Sequence, residues 1–332
     1  MGGGRWDSAT WSSYSTGTYG TSDRAKLRGM NNASMFKSRS MDPGLDPAKV
    51  KDTVTGTRES RDSADNPLAT PILLGTDVTG SMGHLAQEVL SAMDVVCTEL
   101  YDRRPVTDPH ILTAAIGDLF CDSAPLQVTQ FEADIRIAEQ TQKLWIEHGG
   151  GGNYGESYAG FWFFAGMLTS SDAWDKRKEK GWLFTVGDEP CLGSKGLIGA
   201  GLGRGHPDGV AITRAQAKRF FGLDIEADLS AEDCYDLAAQ RYEIFHICVN
   251  RNYEPGVKAS FGSILGDRLI WMQDTAHLPE LIVSAIQVAK GADAATVAGS
   301  WSGDTSVAIK EALGGLAVAG AGGPGGGGVA AL

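Results

Sequence analysis

Asp77, Thr79 and Ser81 stand at alternate positions in the stretch Asp77-Val78-Thr79-Gly80-Ser81-Met82. One carboxylate and two hydroxyls at that spacing offer only oxygen ligands. Hard divalent cations, Mg²⁺ above all, take oxygen ligands and keep several waters. A hydroxyl displaces water from such an ion only when the backbone holds it in place, as a tight strand-to-helix turn does. The same residue types before a helix also serve as ordinary N-caps. Spacing alone leaves both readings open.

The flanking sequence supplies the turn. Pro71-Ile72-Leu73-Leu74-Gly75 is an apolar run that reads as a buried strand, and Gly83 to Tyr101 reads as an amphipathic helix. A second run, Gly181-Trp182-Leu183-Phe184-Thr185-Val186, ends in Gly187-Asp188-Glu189-Pro190, so a second carboxylate leaves the end of a second strand. Ligands of an open parallel sheet bind beyond the carboxyl ends of its strands.

At this point the chain resembles a von Willebrand factor A domain with a metal-ion-dependent adhesion site. Asp77, Thr79 and Ser81 match the family's D-x-S/T-x-S segment, and Asp188 fits the Asp that follows the fourth strand. The family usually has Asp before Gly, whereas here Gly187 precedes Asp188. The resemblance covers roughly residues 70–292. It implies Mg²⁺, with Mn²⁺ or Ca²⁺ as substitutes, held by Asp77, Thr79, Ser81 and Asp188. A partner protein's Asp or Glu then displaces a water and completes the coordination. The resemblance to intracellular bacterial and phage members further implies an adaptor role beside a MoxR-type AAA+ ATPase.

The family's middle loop carries a Thr, and here none is present. His148-Gly149-Gly150-Gly151-Gly152-Asn153-Tyr154-Gly155-Glu156-Ser157 occupies that place. Asn153, Glu156 or Ser157 are the candidates for the missing oxygen, directly or through water. Glycines that admit a partner's backbone, or a plain connector, are the other readings. Asp118 and Asp122 follow the second strand candidate, His110–Ile116. Asp118 is a candidate to hold a cation-bound water, and a turn-forming Asp is the equal alternative.

Strand candidates are Ile72–Thr76, His110–Ile116, Leu126–Phe131, Trp182–Val186, Glu243–Val249 and Leu269–Met272. Helix candidates are Gly83–Tyr101, Asp134–Glu147, Ser157–Leu168, Thr213–Phe221, Ala231–Arg241 and Leu278–Lys290. The alternation predicts an α/β fold: a doubly wound, mostly parallel sheet with helices on both faces. No helix separates His110–Ile116 from Leu126–Phe131, so one of them is expected as an antiparallel edge strand. Residues 66–292 form the expected domain. Residues 1–65 are polar and read as an extended or disordered arm, although Trp6, Trp11, Tyr14 and Tyr19 suit docking on a partner or on the chain's own body. Residues 293–332 read as a short helix and a flexible Gly/Ala-rich tail.

The net charge of −12 argues against nonspecific nucleic-acid binding. It is uneven: residues 1–69 hold 10 basic and 8 acidic side chains, which leaves −14 on the remainder. Five cysteines with no C-x-x-C pair favour a reducing interior over a disulfide framework. No secretory leader pattern and no run long and apolar enough for a membrane span is visible, so a cytoplasmic location is expected. The Gly-rich stretch Gly193 to Gly209 lacks G-x-G-x-x-G spacing and reads as a loop on the Asp188 face that shapes partner choice. No P-loop, H-E-x-x-H or G-x-S-x-G segment occurs, so catalysis is not expected. The alternative to an adaptor is a structural subunit of a larger assembly, such as a phage particle, with a structural metal.

Overall fold

The computed structural model describes residues 4–316, apart from Ser81, Gly83, 148–154 and 202–205. Eight strands occur among the described residues: β1 (Arg58–Ser60), β2 (Thr70–Asp77), β3 (Pro109–Ile116), β4 (Leu126–Val128), β5 (Thr169–Ser171), β6 (Gly181–Gly187), β7 (Tyr242–Cys248) and β8 (Leu269–Trp271). Six of them form the central sheet in the order β4-β3-β2-β6-β7-β8, and β1 pairs with β5 in a separate two-stranded ribbon. Every pairing in the central sheet is parallel except β3–β4, which is the expected antiparallel edge.

Strands this apolar require cover on both faces. Alternation along each strand divides the side chains between two packed layers. Ile72 and Leu74 of β2, Phe184 and Val186 of β6, and Phe245 and Ile247 of β7 point into one. Leu73, Leu183 and Ile244 point into the other. The first layer is closed by the helices His84–Ser91, Met93–Arg103 and Leu278–Ala289. The second is closed by Tyr158–Leu168, Ala231–Ala239 and Glu254–Leu265. The helix Tyr158–Leu168 is apolar almost all round, and both Trp162 and Phe163 are fully buried.

Several element boundaries differ from expectation. The predicted helix Gly83–Tyr101 is two helices, broken at Ala92. Ser91 Oγ donates to the Glu88 carbonyl at 2.9 Å, a back-bond that bends helices. The predicted helix Asp134–Glu147 is confined to Arg136–Thr141. Beyond it the Gln127 side chain claims the backbone of Trp145, accepting from its N–H at 2.9 Å and donating to its carbonyl at 2.7 Å. Gln127 thus competes with helical pairing.

The largest correction concerns residues 1–65. In place of an extended arm, residues 8–19 form a helix capped by Asp7 and ended by Gly20 at φ 78°. Trp6 and Trp11 are buried and belong to the same layer as Leu85, Val96 and Leu281. Trp6, Trp11, Tyr14 and Tyr19 form a chain of ring contacts with centroids 5.7 to 6.3 Å apart. Trp6 Nε1 donates to Asp94 and Tyr14 Oη to Gln142. Arg24 pairs with Glu280 at 3.2 Å, and Arg28 with Glu88 at 2.7 Å. Four aromatic rings outweigh a polar composition, because each buries a large area against an existing surface.

At the other end, the expected short helix spans Gly303–Leu313, and a second one, Ala294–Gly299, precedes it, with Val297, Ile309 and Leu313 buried. The tail from residue 317 onward lies outside the described residues. Trp11→Ala is expected to lower the unfolding free energy by roughly 3–5 kcal/mol, the usual cost of truncating a buried ring. Urea denaturation would measure it, and a change below about 1 kcal/mol would show that the docked segment contributes little.

Candidate metal centre

The chain runs from β2 outward to β3 and β4, then returns to add β6 on the other side of β2. The boundary between β2 and β6 is therefore the topological switch point, where doubly wound sheets form a crevice. Asp77 is the last residue of β2, and Asp188 directly follows β6. The two carboxylates flank that crevice because of strand order alone. Both are buried.

The turn after β2 is held from both sides. Val78 N–H donates to the Ile116 carbonyl at 3.0 Å, extending the β2–β3 ladder, and Met82 N–H donates to the Thr79 carbonyl at 3.0 Å. Asp77 Oδ1 accepts from Thr79 N–H at 2.9 Å and from Thr79 Oγ1 at 2.7 Å. A hydroxyl that donates keeps acceptor lone pairs, so Thr79 Oγ1 retains capacity for a cation. Ser81 lies outside the described residues, as do Asn153 and the glycines before it.

Residues 156 to 158 connect the three strand ends. Tyr158 Oη donates to Asp77 Oδ2 at 3.1 Å. Ser157 Oγ donates to Asp118 Oδ1 at 3.2 Å and accepts from Leu119 N–H at 3.0 Å. Glu156 N–H donates to the Pro190 carbonyl at 2.9 Å, and its own carbonyl accepts from Leu192 N–H at 3.0 Å. The segment is thus stitched to the loop after Asp188. Asp118, at the end of β3, also accepts from Phe120 N–H at 2.8 Å and from the Cys121 thiol. Its backbone N–H donates to Asp122 Oδ2 at 2.8 Å.

Gly187 explains the reversed Asp–Gly order. A Cβ at that position would lie 1.9 Å from Tyr158 Oη. Only glycine lets the phenol pass β6 and reach Asp77. Tyr158 and Asn250 are site residues that sequence reasoning missed. Asn250 Nδ2 donates to Asp188 Oδ2 at 2.7 Å. Its signal was its position, two residues beyond the end of β7. Glu189 was visible beside Asp188 but received no role.

The electrostatics are dominated by burial of like charges. Burial pushes Asp77 up to about 6, with Asp188 adding to the rise, against the lowering hydrogen bonds from Thr79 and Tyr158. Glu189 rises to about 7 through burial and then the nearby Asp77 and Asp188. Glu156 sits well above the ordinary carboxylate range, from burial first and then from Asp77 and Glu189. Among the described residues, no Lys or Arg forms an ion pair with Asp77, Glu156 or Glu189. Such a group of buried carboxyls is electrostatically costly unless it is protonated or shares a cation.

The donor set is all oxygen, as a hard cation requires. Among the described residues, however, no three His, Cys, Asp or Glu side chains converge closely enough to hold an ion by themselves. Hydroxyls and waters must complete any coordination sphere. A cleft of about 550 Å³ beside β8, lined by Arg251, Trp271, His277, Asp304 and Glu311, shares none of these residues.

Two histidines are packed into the core. His246 Nδ1 lies 2.9 Å from Thr185 Oγ1, and its ring stacks on Phe261. His110 Nδ1 lies 3.2 Å from Ser60 Oγ. The side chain of His84 is outside the described set. The Gly-rich insertion reaches the β3 side of the site, where His206 packs on Phe120 with centroids 4.2 Å apart. None of the five cysteines is in a disulfide, and among the described residues no helix is long and apolar enough to cross a membrane.

No protein-family model matches the chain, and no curated protein matches it. Solved structures of similar architecture include the pilus adhesin SpaC of Lactobacillus rhamnosus GG in its open conformation, with 10% identity and a TM-score of 0.43 over 70% of this chain. A von Willebrand factor type A protein from Catenulispora acidiphila follows with 13% identity and a TM-score of 0.33 over 66% of this chain. The chain spans 31% and 42% of the lengths of these two proteins. The fold assignment rests on the sheet order and not on these distant likenesses.

Proposed function

We propose that the chain is a metal-dependent protein-binding module rather than an enzyme. One observation carries this reading: Asp77 and Asp188 flank the switch-point crevice, with Thr79 hydrogen-bonded to Asp77 at the turn. Asp77, Thr79, Ser81 and Asp188 would hold Mg²⁺, or Mn²⁺ or Ca²⁺ in its place. When bound there, the cation would supply Lewis acidity and a coordination position open to an oxygen ligand from outside. Tyr158 fixes one oxygen of Asp77, and Asn250 fixes one of Asp188, so both carboxylates are oriented in advance.

The partner in this reading is a protein presenting Asp or Glu, in the class of MoxR-type AAA+ ATPases, and the setting is the cytoplasm. A structural subunit of a larger assembly is the alternative, for which a polar N-terminal arm and the Gly-rich tail would speak. Trp6, Trp11, Leu27, Met35 and Phe36 pack into the body, so the first segment is not a free arm, and the tail lies outside the described residues. Capture of a purified MoxR-type ATPase on immobilised protein tests the reading. Retention is expected in Mg²⁺, with loss in EDTA and loss when one partner carboxylate becomes its amide. Equal retention in EDTA would sink it.

A further inference from the structure

Glu156 is one of the three middle-loop candidates, with Asn153 and Ser157, for the oxygen that a Thr supplies in the resembled family. Its side chain is 95% buried by its 5% exposure, and among the described residues Oε2 has no hydrogen-bond partner. Its backbone is fixed on both sides, to Pro190 and Leu192 beyond β6. The next two side chains reach Asp118 and Asp77. Glu156 therefore lies on a segment stitched to three strand ends, and Asp77 is the charge that bears most strongly on its carboxyl.

A buried carboxylate oxygen without a donor costs free energy. No described Lys, Arg or His forms an ion pair with Glu156. For the ionised carboxylate, the missing donor must come from something that enters the crevice. Direct ligation would need three carboxylates converging on one ion, and no such group exists among the described residues. Mg²⁺ keeps waters, and those waters are strong hydrogen-bond donors.

We propose that Glu156 grips the cation through one of its bound waters, accepting that water's hydrogen bond on Oε2. This rests on the cation-centre reading above and deepens it. A charged group then replaces the neutral hydroxyl of the middle loop. The carboxylates of Asp77, Asp188 and Glu156 outweigh a divalent ion by one charge. The ion is held more firmly, and its pull on an external carboxylate is weaker than in a centre with a neutral third residue.

The test is Mn²⁺ binding by the full chain, read by titration calorimetry and by water-proton relaxivity, which counts waters on the ion. Glu156→Gln keeps shape and an acceptor oxygen but removes the charge. Affinity is expected to fall about 10- to 100-fold, the range for a group acting through a metal-bound ligand, with the number of Mn²⁺-bound waters unchanged. Glu156→Asp keeps the charge and shortens the reach, and it is expected to fall between the two. It also serves if the amide variant does not fold. Full affinity in both variants overturns the assignment while leaving the cation centre intact. A loss of affinity with one additional bound water means direct ligation and also overturns it. A wild-type chain that takes up no Mn²⁺ overturns both readings together.

Discussion

Asp77→Asn is expected to abolish measurable cation binding while leaving the fold in place. The substitution is chosen over alanine because Asp77 accepts three hydrogen bonds, from Thr79 N–H, Thr79 Oγ1 and Tyr158 Oη. Alanine would strand all three donors in a buried place, each at a cost of about 1–3 kcal/mol. Asparagine removes the charge and keeps an acceptor oxygen for the two Thr79 donors, while its NH2 faces Tyr158 Oη, a hydroxyl that can accept as well as donate. Groups acting through a ligand already change metal affinity 10- to 100-fold, so loss of the charged ligand itself should cost at least about 100-fold. Calorimetric titration with Mg²⁺ and Mn²⁺, together with a normal circular dichroism spectrum, gives the readout. Unchanged affinity in a folded Asp77→Asn protein would remove Asp77 from the site and the proposed function with it.

The second large effect is an inverted pH dependence in the absence of metal. Folding raises Asp77 from 3.8 to about 6 and Glu189 from 4.5 to about 7, and raises Glu156 as well. A carboxyl whose folded value is raised binds its proton more tightly in the native state than in the unfolded chain. Its favourable contribution is complete below the unfolded value and is lost as pH climbs through the folded one. In EDTA the melting temperature should therefore fall between about pH 4 and pH 7. For fully buried Asp77 alone the loss is on the order of 3 kcal/mol, several degrees for a chain of this length. With Mg²⁺ present the ion takes the place of the protons, so its stabilising effect should grow over the same interval. A melting temperature in EDTA that is flat or rising across this range would contradict the clustering of these carboxyls.

The sheet was legible because its strands are long apolar runs separated by periodic helices. β2, β3, β6 and β7 fall within a few residues of their expected positions. Asp77 and Asp188 were legible for the same reason, since residues at strand ends inherit their place from the sheet. What was not legible depended on contacts between distant residues. Tyr158 reaches Asp77 only because position 187 lacks a Cβ, and nothing local announces that. Asn250 meets Asp188 only because β6 and β7 are neighbours. The first 65 residues misled because composition averages over a segment, whereas docking depends on a few side chains. Trp6 and Trp11 find Asp94 and the helix that bears it, 88 residues from Trp6.

That docking has a consequence for how the chain is made. Arg24 and its partner Glu280 are separated by 256 residues. At ordinary synthesis rates of about 5–20 residues per second, on the order of ten to fifty seconds pass between their appearances. Arg28 waits nearly as long for Asp274. The segment around Arg24 is made long before these anchors and is thus among the last to reach its final place. A product broken off before residue 274 would lack both anchors. Its N-terminal segment would be held on one side only, and its Trp and Tyr rings would be within reach of chaperones and proteases.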